Sequence, residues 1–241
     1  MRIAVAQTRP VKGDVQKNIA AHSALIELAV DAGADCIFFP ELSVTGYEPE
    51  LAKTLAIQPE DQQLGKFQHL SDANNISIGV GMPLRQGEGI CISSIIFQSN
   101  KPRLVYSKRY LHSDEEPFFV SGKNGTAVFE TQPKTALAIC YELSIPQHQA
   151  DAVDAGAGVY LVSAVKDVKG IEKSLATLSD IASRHSMIVL LSNCIGTSGG
   201  YDCAGRSSIW NRKGELIGQL DANNEGILMI DTENGDIVSS Q

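Results

Sequence analysis

The chain has 241 residues, of which 43% are hydrophobic, enough apolar material for one substantial core in a single domain spanning residues 1–241. Lys and Arg number 20 against 28 Asp and Glu, and a net charge of −8 repels a phosphate backbone, so nucleic acid is excluded as a partner. No apolar run approaches the roughly 20 residues of a membrane helix, and the opening stretch reads as a strand with no secretion signal; a cytoplasmic protein with no membrane partner is expected.

Short apolar runs alternate with amphipathic stretches along the chain. Residues 2–7 predict a strand, and 15–32 a helix that turns Ile19, Leu25, Ile26 and Ala29 inward and ends at Gly33, a residue tolerant of positive φ. The unbroken run Cys36-Ile37-Phe38-Phe39 predicts a strand buried on both faces, stopped by Pro40-Glu41. A helix over 58–74 leads to a strand over 76–81. Residues 90–98 then pair through a hairpin-like connection with 103–110, which brings antiparallel neighbours into the sheet.

Beyond a polar segment at 112–125 come a strand over 136–140, a helix over 146–155, a strand over 159–163 and a helix over 170–186, a layout like that of the first half. Strands over 188–192, 207–211 and 226–231 close the pattern, with turn signals at Arg212-Lys213-Gly214 and Asn223-Asn224-Glu225-Gly226. No linker, repeat or low-complexity segment argues for a second domain.

Five cysteines at positions 36, 91, 140, 194 and 203 form an odd set with no C-x-x-C pair and no zinc-type histidine spacing, so neither a disulfide framework nor a metal site is expected. The chain lacks G-x-x-x-x-G-K-[S/T], and Gly79-Val80-Gly81 is only a fragment of a dinucleotide fingerprint, so no cofactor is expected either. Cys36, Cys91 and Cys194 read as small core residues. Cys140 differs, because it ends the apolar run Ala136-Leu137-Ala138-Ile139, at the sheet edge where open α/β sheets place ligands.

Glu41 likewise emerges at the carboxyl end of a buried run, a position suited to a base, although taken alone an acid at a loop start is more often a solvated or capping group. Lys108 lies in a segment whose alternation puts Leu104, Tyr106 and Lys108 on one face and Val105, Ser107 and Arg109 on the other. One face must therefore hold a cation, and a lysine guarding a sheet edge is the ordinary alternative.

Taken together with their flanks, the three residues resemble something specific. The segments Phe39-Pro40-Glu41-Leu42-Ser43-Val44-Thr45-Gly46-Tyr47, Tyr106-Ser107-Lys108-Arg109-Tyr110-Leu111 and Ala138-Ile139-Cys140-Tyr141-Glu142 resemble, in order and spacing, the three signature motifs of the nitrilase, or carbon-nitrogen hydrolase, superfamily. Glu115 with Phe118-Phe119-Val120-Ser121-Gly122, and Gly205-Arg206-Ser207-Ser208, extend the resemblance over nearly the whole chain. Where family members often carry Tyr-Asn-Ser-Ala this chain has Cys91-Ile92-Ser93-Ser94, and where they carry Arg-Ala-x-Glu-Asn it has Ser183-Arg184-His185-Ser186-Met187, departures that bear on substrate and subunit contacts. The resemblance implies an α/β fold, a four-layer α-β-β-α sandwich with two mixed sheets, assembled as a homodimer.

It also implies a hydrolase acting on a small-molecule amide through a cysteine thioester. Glu41 would take the thiol proton of Cys140, the Lys108 ammonium would favour the thiolate, and Lys108 with the Tyr141 backbone N–H would meet the oxyanion. Glu115 would orient substrate or Lys108, with the adjacent Glu116 as the alternative, and Glu142 is expected to be structural. An amidase is expected over a nitrilase because the chain is short and lacks the C-terminal extension that nitrile-hydrolysing members tend to carry; hydrolysis of N-carbamoyl amides stays open. The rivals are a Cys–His hydrolase with His112 or His148 as base, and a non-catalytic binding subunit, which would be expected to lack one of the three residues.

Overall fold

In the computed structural model, which describes all residues except 124, 126, 127 and 130, two mixed sheets lie face to face with helices on their outer sides. Residue 124 of the polar segment thus lies outside the described residues. The first half of the chain runs β1 (Arg2–Gln7), α1 (Val15–Asp31), β2 (Cys36–Phe38), α2 (Ala52–Leu55), α3 (Gly65–Asn74), β3 (Ser77–Gln86), β4 (Gly89–Phe97) and β5 (Leu104–Ser107). The second half continues with β6 (Val128–Phe129), β7 (Thr135–Ile139), α4 (Pro146–Asp154), β8 (Val159–Ser163), α5 (Ile171–His185) and β9 (Ile188–Ser192). A hairpin of β10 (Ile195–Ser198) and β11 (Tyr201–Ala204) follows, then β12 (Ser208–Trp210), β13 (Leu216–Gln219), β14 (Gly226–Asp231) and β15 (Ile237–Ser240).

Seven strands in the order β15-β14-β1-β2-β3-β4-β5 make one sheet, and six in the order β13-β12-β9-β8-β7-β6 make the other. Each has a parallel centre, β1-β2-β3 in the first and β7-β8-β9 in the second, flanked by antiparallel strands. Strand alternation distributes the apolar residues into three layers of core. Ile3 and Val5 of β1 face inward and meet Leu137 and Ile139 of β7 between the sheets, while Ala4 and Ala6 pack outward with Ile19, Ile26 and Phe67 of α1 and α3. Ala136 and Ala138 point the opposite way from Leu137, onto Leu175, Leu178 and Ile181 of α5. Three interfaces between four layers are the sandwich expected.

Boundaries differ where short polar segments intervene. The helix expected over 58–74 starts only at Gly65, after a 3-10 turn at Gln62–Leu64 that Asp61 caps by accepting the Gln63 N–H. The short turn and helix at residues 49–55, and strands β6, β10, β11, β13 and β15, were not anticipated. Gly199 and Gly200, both at positive φ, form the two-residue turn of the β10–β11 hairpin, a signal the sequence carries. For the site, what matters is that β2, β5, β7 and β8 all release their chains toward one cavity.

Candidate active site

Glu41 sits in the loop leaving β2, where Leu42 is held at φ 49°. Gly81 of β3 lies directly under this loop, since a Cβ there would come within 2.2 Å of the Leu42 nitrogen and 2.6 Å of the Pro40 oxygen. A buried histidine pins the same loop. The Nδ1–H of His22 donates to the Asn18 carbonyl at 2.6 Å, which leaves Nε2 to accept from the Ser43 hydroxyl at 2.9 Å. Burial, opposed by that bond to Asn18, lowers the His22 pKa to about 4.

That shift sets a pH dependence. Between about 4 and the ordinary 6.5 the unfolded chain protonates this histidine and the native one does not, so the unfolded state binds more protons and stability falls as pH drops. The window is worth roughly 3 kcal/mol at most. Urea midpoints at pH 7 and pH 5 should separate less in a His22→Gln variant than in the wild type, and an unchanged separation would contradict this account of the loop.

Lys108 follows β5 directly. The strand expected to run through it stops at Ser107, although the Lys108 N–H still donates to the Ile92 carbonyl at 2.8 Å. There the backbone of Gly122 takes over, donating its N–H to the Lys108 carbonyl at 2.7 Å and lying so close that a Cβ would meet the Ser107 oxygen at 2.3 Å. The side chain is wholly buried, and Nζ donates to Glu41 Oε1 at 2.8 Å and to Glu115 Oε1 at 2.6 Å. Glu115 is further tied by the Tyr47 hydroxyl and the His112 N–H, whereas the adjacent Glu116 is exposed. Glu41 Oε2 is buried and accepts no hydrogen bond among the described residues.

Cys140 begins a one-turn 3-10 helix immediately after β7, at φ 46°, a left-handed conformation that costs an ordinary side chain about 1–3 kcal/mol. Its thiol rests on the Val165 carbonyl at 3.6 Å. What holds the turn is Glu142, whose carboxylate accepts the Ile139 N–H, the Arg109 N–H and the Tyr106 hydroxyl at 2.7–2.8 Å. This one side chain joins the segment carrying Lys108 to the segment carrying Cys140, the structural part expected of it. Behind it, His148 is buried and neutral, with a pKa lowered to about 4 by burial and by the charge of Arg109. The Tyr106 hydroxyl donates to Glu142, so Nε2–H of His148 donates to that hydroxyl and Nδ1 accepts from Tyr160.

Glu41, Glu115, Cys140 and Tyr141 therefore line one cavity of about 390 Å³, with Lys108 bonded to both carboxylates. Burial raises the Glu41 pKa; Lys108 pulls it down and the Glu115 charge pushes it up. For Lys108, burial disfavours the ammonium, and the charges of Glu41, Cys140 and Glu115 more than reverse it. The Cys140 thiol is raised by burial and by Glu41, against the lowering charges of Lys166 and Lys108, so the expected help from Lys108 is present but outweighed. A group that is neutral at rest beside a strengthened carboxylate base suits proton transfer at the moment of attack.

Tyr47, Val165, Lys166, Asp167 and Tyr201, none of them expected as site residues, also line the cavity wall. Lys166 and Asp167 follow the buried strand β8, and position beyond a strand's carboxyl end was the available signal.

Residues 2–239 match the family model described as carbon-nitrogen hydrolase. Among similar proteins is a "Hydrolase in agr operon" of Staphylococcus aureus, 25% identical over 96% of this chain and 90% of its own length. Another is a glutamine-dependent NAD(+) synthetase of Xylella fastidiosa (strain Temecula1 / ATCC 700964), 31% identical over 67% of this chain but only 31% of its own length, so the chain spans under a third of that relative. Among solved structures, an amidase from Nesterenkonia AN1 of the nitrilase superfamily superposes with a TM-score of 0.86 at 23% identity, covering 96% of this chain and 91% of that one. A structure of a variant of the same amidase shows covalent addition of the acetamide moiety of fluoroacetamide at its active-site cysteine.

Proposed function

The chain belongs to the carbon-nitrogen hydrolase family, and from that premise we propose that it is an amidase, cleaving the C–N bond of a small non-peptide amide through a thioester on Cys140. The observation that carries the proposal is the buried Lys108 ammonium bridging Glu41 and Glu115, with the second oxygen of Glu41 unbonded beside the cavity that holds Cys140.

In this mechanism Glu41 Oε2 takes the thiol proton as Cys140 Sγ attacks the amide carbonyl. The negative charge that develops on the carbonyl oxygen is met by the remaining N–H of Lys108 and by the Tyr141 N–H, at the start of a helical turn where such groups have no partner within the helix. Glu41 returns its proton to the departing nitrogen, the C–N bond breaks, and ammonia or an amine leaves a thioester. Glu41 then deprotonates a water that attacks the thioester, and the acid departs as the proton returns to the thiol. Glu115 positions Lys108. No metal or cofactor enters this chemistry. The same reading has the chain as a single domain that pairs as a homodimer and works in the cytoplasm.

A Cys–His mechanism is disfavoured because both ring nitrogens of His148 are engaged with tyrosines behind Glu142, and because the Cys140 thiol rests on the Val165 carbonyl while the exposed His112 ring makes no hydrogen bond to it among the described residues. His112→Ala should keep turnover within about tenfold, since a base contributes on the order of 10²–10⁴; a thousandfold loss would favour the Cys–His route. The proposal itself is tested by ammonia release from small neutral amides, dicarboxylic monoamides, glutamine, carbamoyl amino acids and nitriles, with Cys140→Ala as control. Amides should be the best substrates. Faster turnover of nitriles or carbamoyl compounds would overturn the choice of amidase, and activity surviving in the control would overturn the mechanism.

A further inference from the structure

The cavity at Cys140 falls in the range of about 300–1,000 Å³ typical of sites for ligands larger than a two-carbon amide. Its charged lining is not evenly matched. Glu41 and Glu115 are paired with Lys108, Asp114 accepts from His112 Nδ1 and from the Tyr201 hydroxyl, and Asp167 Oδ1 accepts the Gly170 N–H at 2.8 Å. Lys166 and Lys173, both on the wall, form no ion pair among the described residues. Among the described residues, then, the ammonium groups of Lys166 and Lys173 make no ion pair, while each carboxylate of the wall already accepts at least one hydrogen bond.

Lys166 is also held in place. Buried Asn193 accepts the Lys166 N–H at 2.8 Å and donates to the Lys166 carbonyl at 3.1 Å, while the Ala204 N–H reaches the same carbonyl at 2.9 Å. The preceding residue, Val165, supplies the carbonyl on which the Cys140 thiol rests. The backbone that carries this lysine is thus clamped on both sides, one residue from the contact of the nucleophile.

Resting on the amidase reading, we propose that Lys166, with Lys173 in the first turn of α5, binds an anionic group on the acyl chain. The preferred substrate would then be an amide carrying a carboxylate away from the bond cleaved, such as the monoamide of a short dicarboxylic acid. The neighbouring cation of Lys166 acts on the Cys140 thiol as well, so the test must separate anion binding from thiol activation.

The readout is the ratio of kcat/KM for succinamate over butyramide, two amides of equal chain length that differ in the terminal charge. The wild type should favour succinamate, and Lys166→Gln should lower the ratio by about tenfold or more, the scale of one charge-assisted hydrogen bond, chiefly through KM. Lys166→Arg should restore it. A wild type indifferent to the charge, or a ratio unchanged in Lys166→Gln, overturns the proposal. Absence of turnover on either amide would instead count against the amidase reading. The anion site is then read without turnover, from the rates at which iodoacetate and iodoacetamide alkylate Cys140. The iodoacetate to iodoacetamide ratio should fall several-fold in Lys166→Gln, and an unchanged ratio overturns the site.

Discussion

Lys108→Met is expected to cost both the fold and the chemistry. Lys108 is fully buried and its ammonium is the counter-charge of two buried carboxylates, Glu41 and Glu115. Removing one partner of a buried ion pair typically destabilises by about 3–5 kcal/mol, because the charge left behind is desolvated and unpaired. Activity should fall by on the order of 10³ or more, since the variant loses an oxyanion donor and the group that keeps Glu41 ionised. The stability loss should depend on pH with a defined sign. In the variant Glu41 keeps the burial that raises its pKa and loses the Lys108 charge that lowers it, so the native state binds more protons than the unfolded state and stability falls as pH rises. Denaturant midpoints should therefore approach the wild type toward pH 5 and diverge toward pH 8; a variant as stable as the wild type at pH 8 would contradict the buried bridge.

Glu41→Gln is the complementary case, a large loss of activity with little loss of fold. The glutamine oxygen can still accept from Lys108 Nζ, and Glu115 remains to balance the ammonium. What disappears is the proton acceptor, and because one carboxylate serves in attack, in departure of the amine and in hydrolysis of the thioester, kcat should fall by roughly 10³–10⁴. Cys140 should also alkylate more slowly, since no base remains to draw off the proton of a thiol that burial has raised. Near-normal turnover with intact structure would remove Glu41 from the mechanism.

The two variants divide the site as the sequence itself divides. Strands β1, β8, β9 and β14 lie where their apolar runs place them, because each is a buried run with polar flanks. Strands such as β13 and β15 are half exposed and mixed in polarity, so no apolar run marks them, although each pairs with the strand just before it in the chain. Glu41, Lys108 and Cys140 are each unremarkable alone and become legible through their flanking motifs. Their mutual geometry was not legible, because it depends on Glu142 joining two distant segments and on Gly81 and Gly122 admitting backbone at close range. Lys166 and Asp167 look like solvated loop charges; only the fold turns that loop onto the cavity.

In the proposed mechanism Cys140 carries the acyl group during turnover. Rapid acid quench of the enzyme with its best amide, followed by peptide mass analysis, should find the acyl mass on the peptide containing Cys140 and nowhere else, formed in step with a burst of ammonia. Sustained ammonia release with Cys140 unmodified, or with the acyl mass on another residue, would contradict the account.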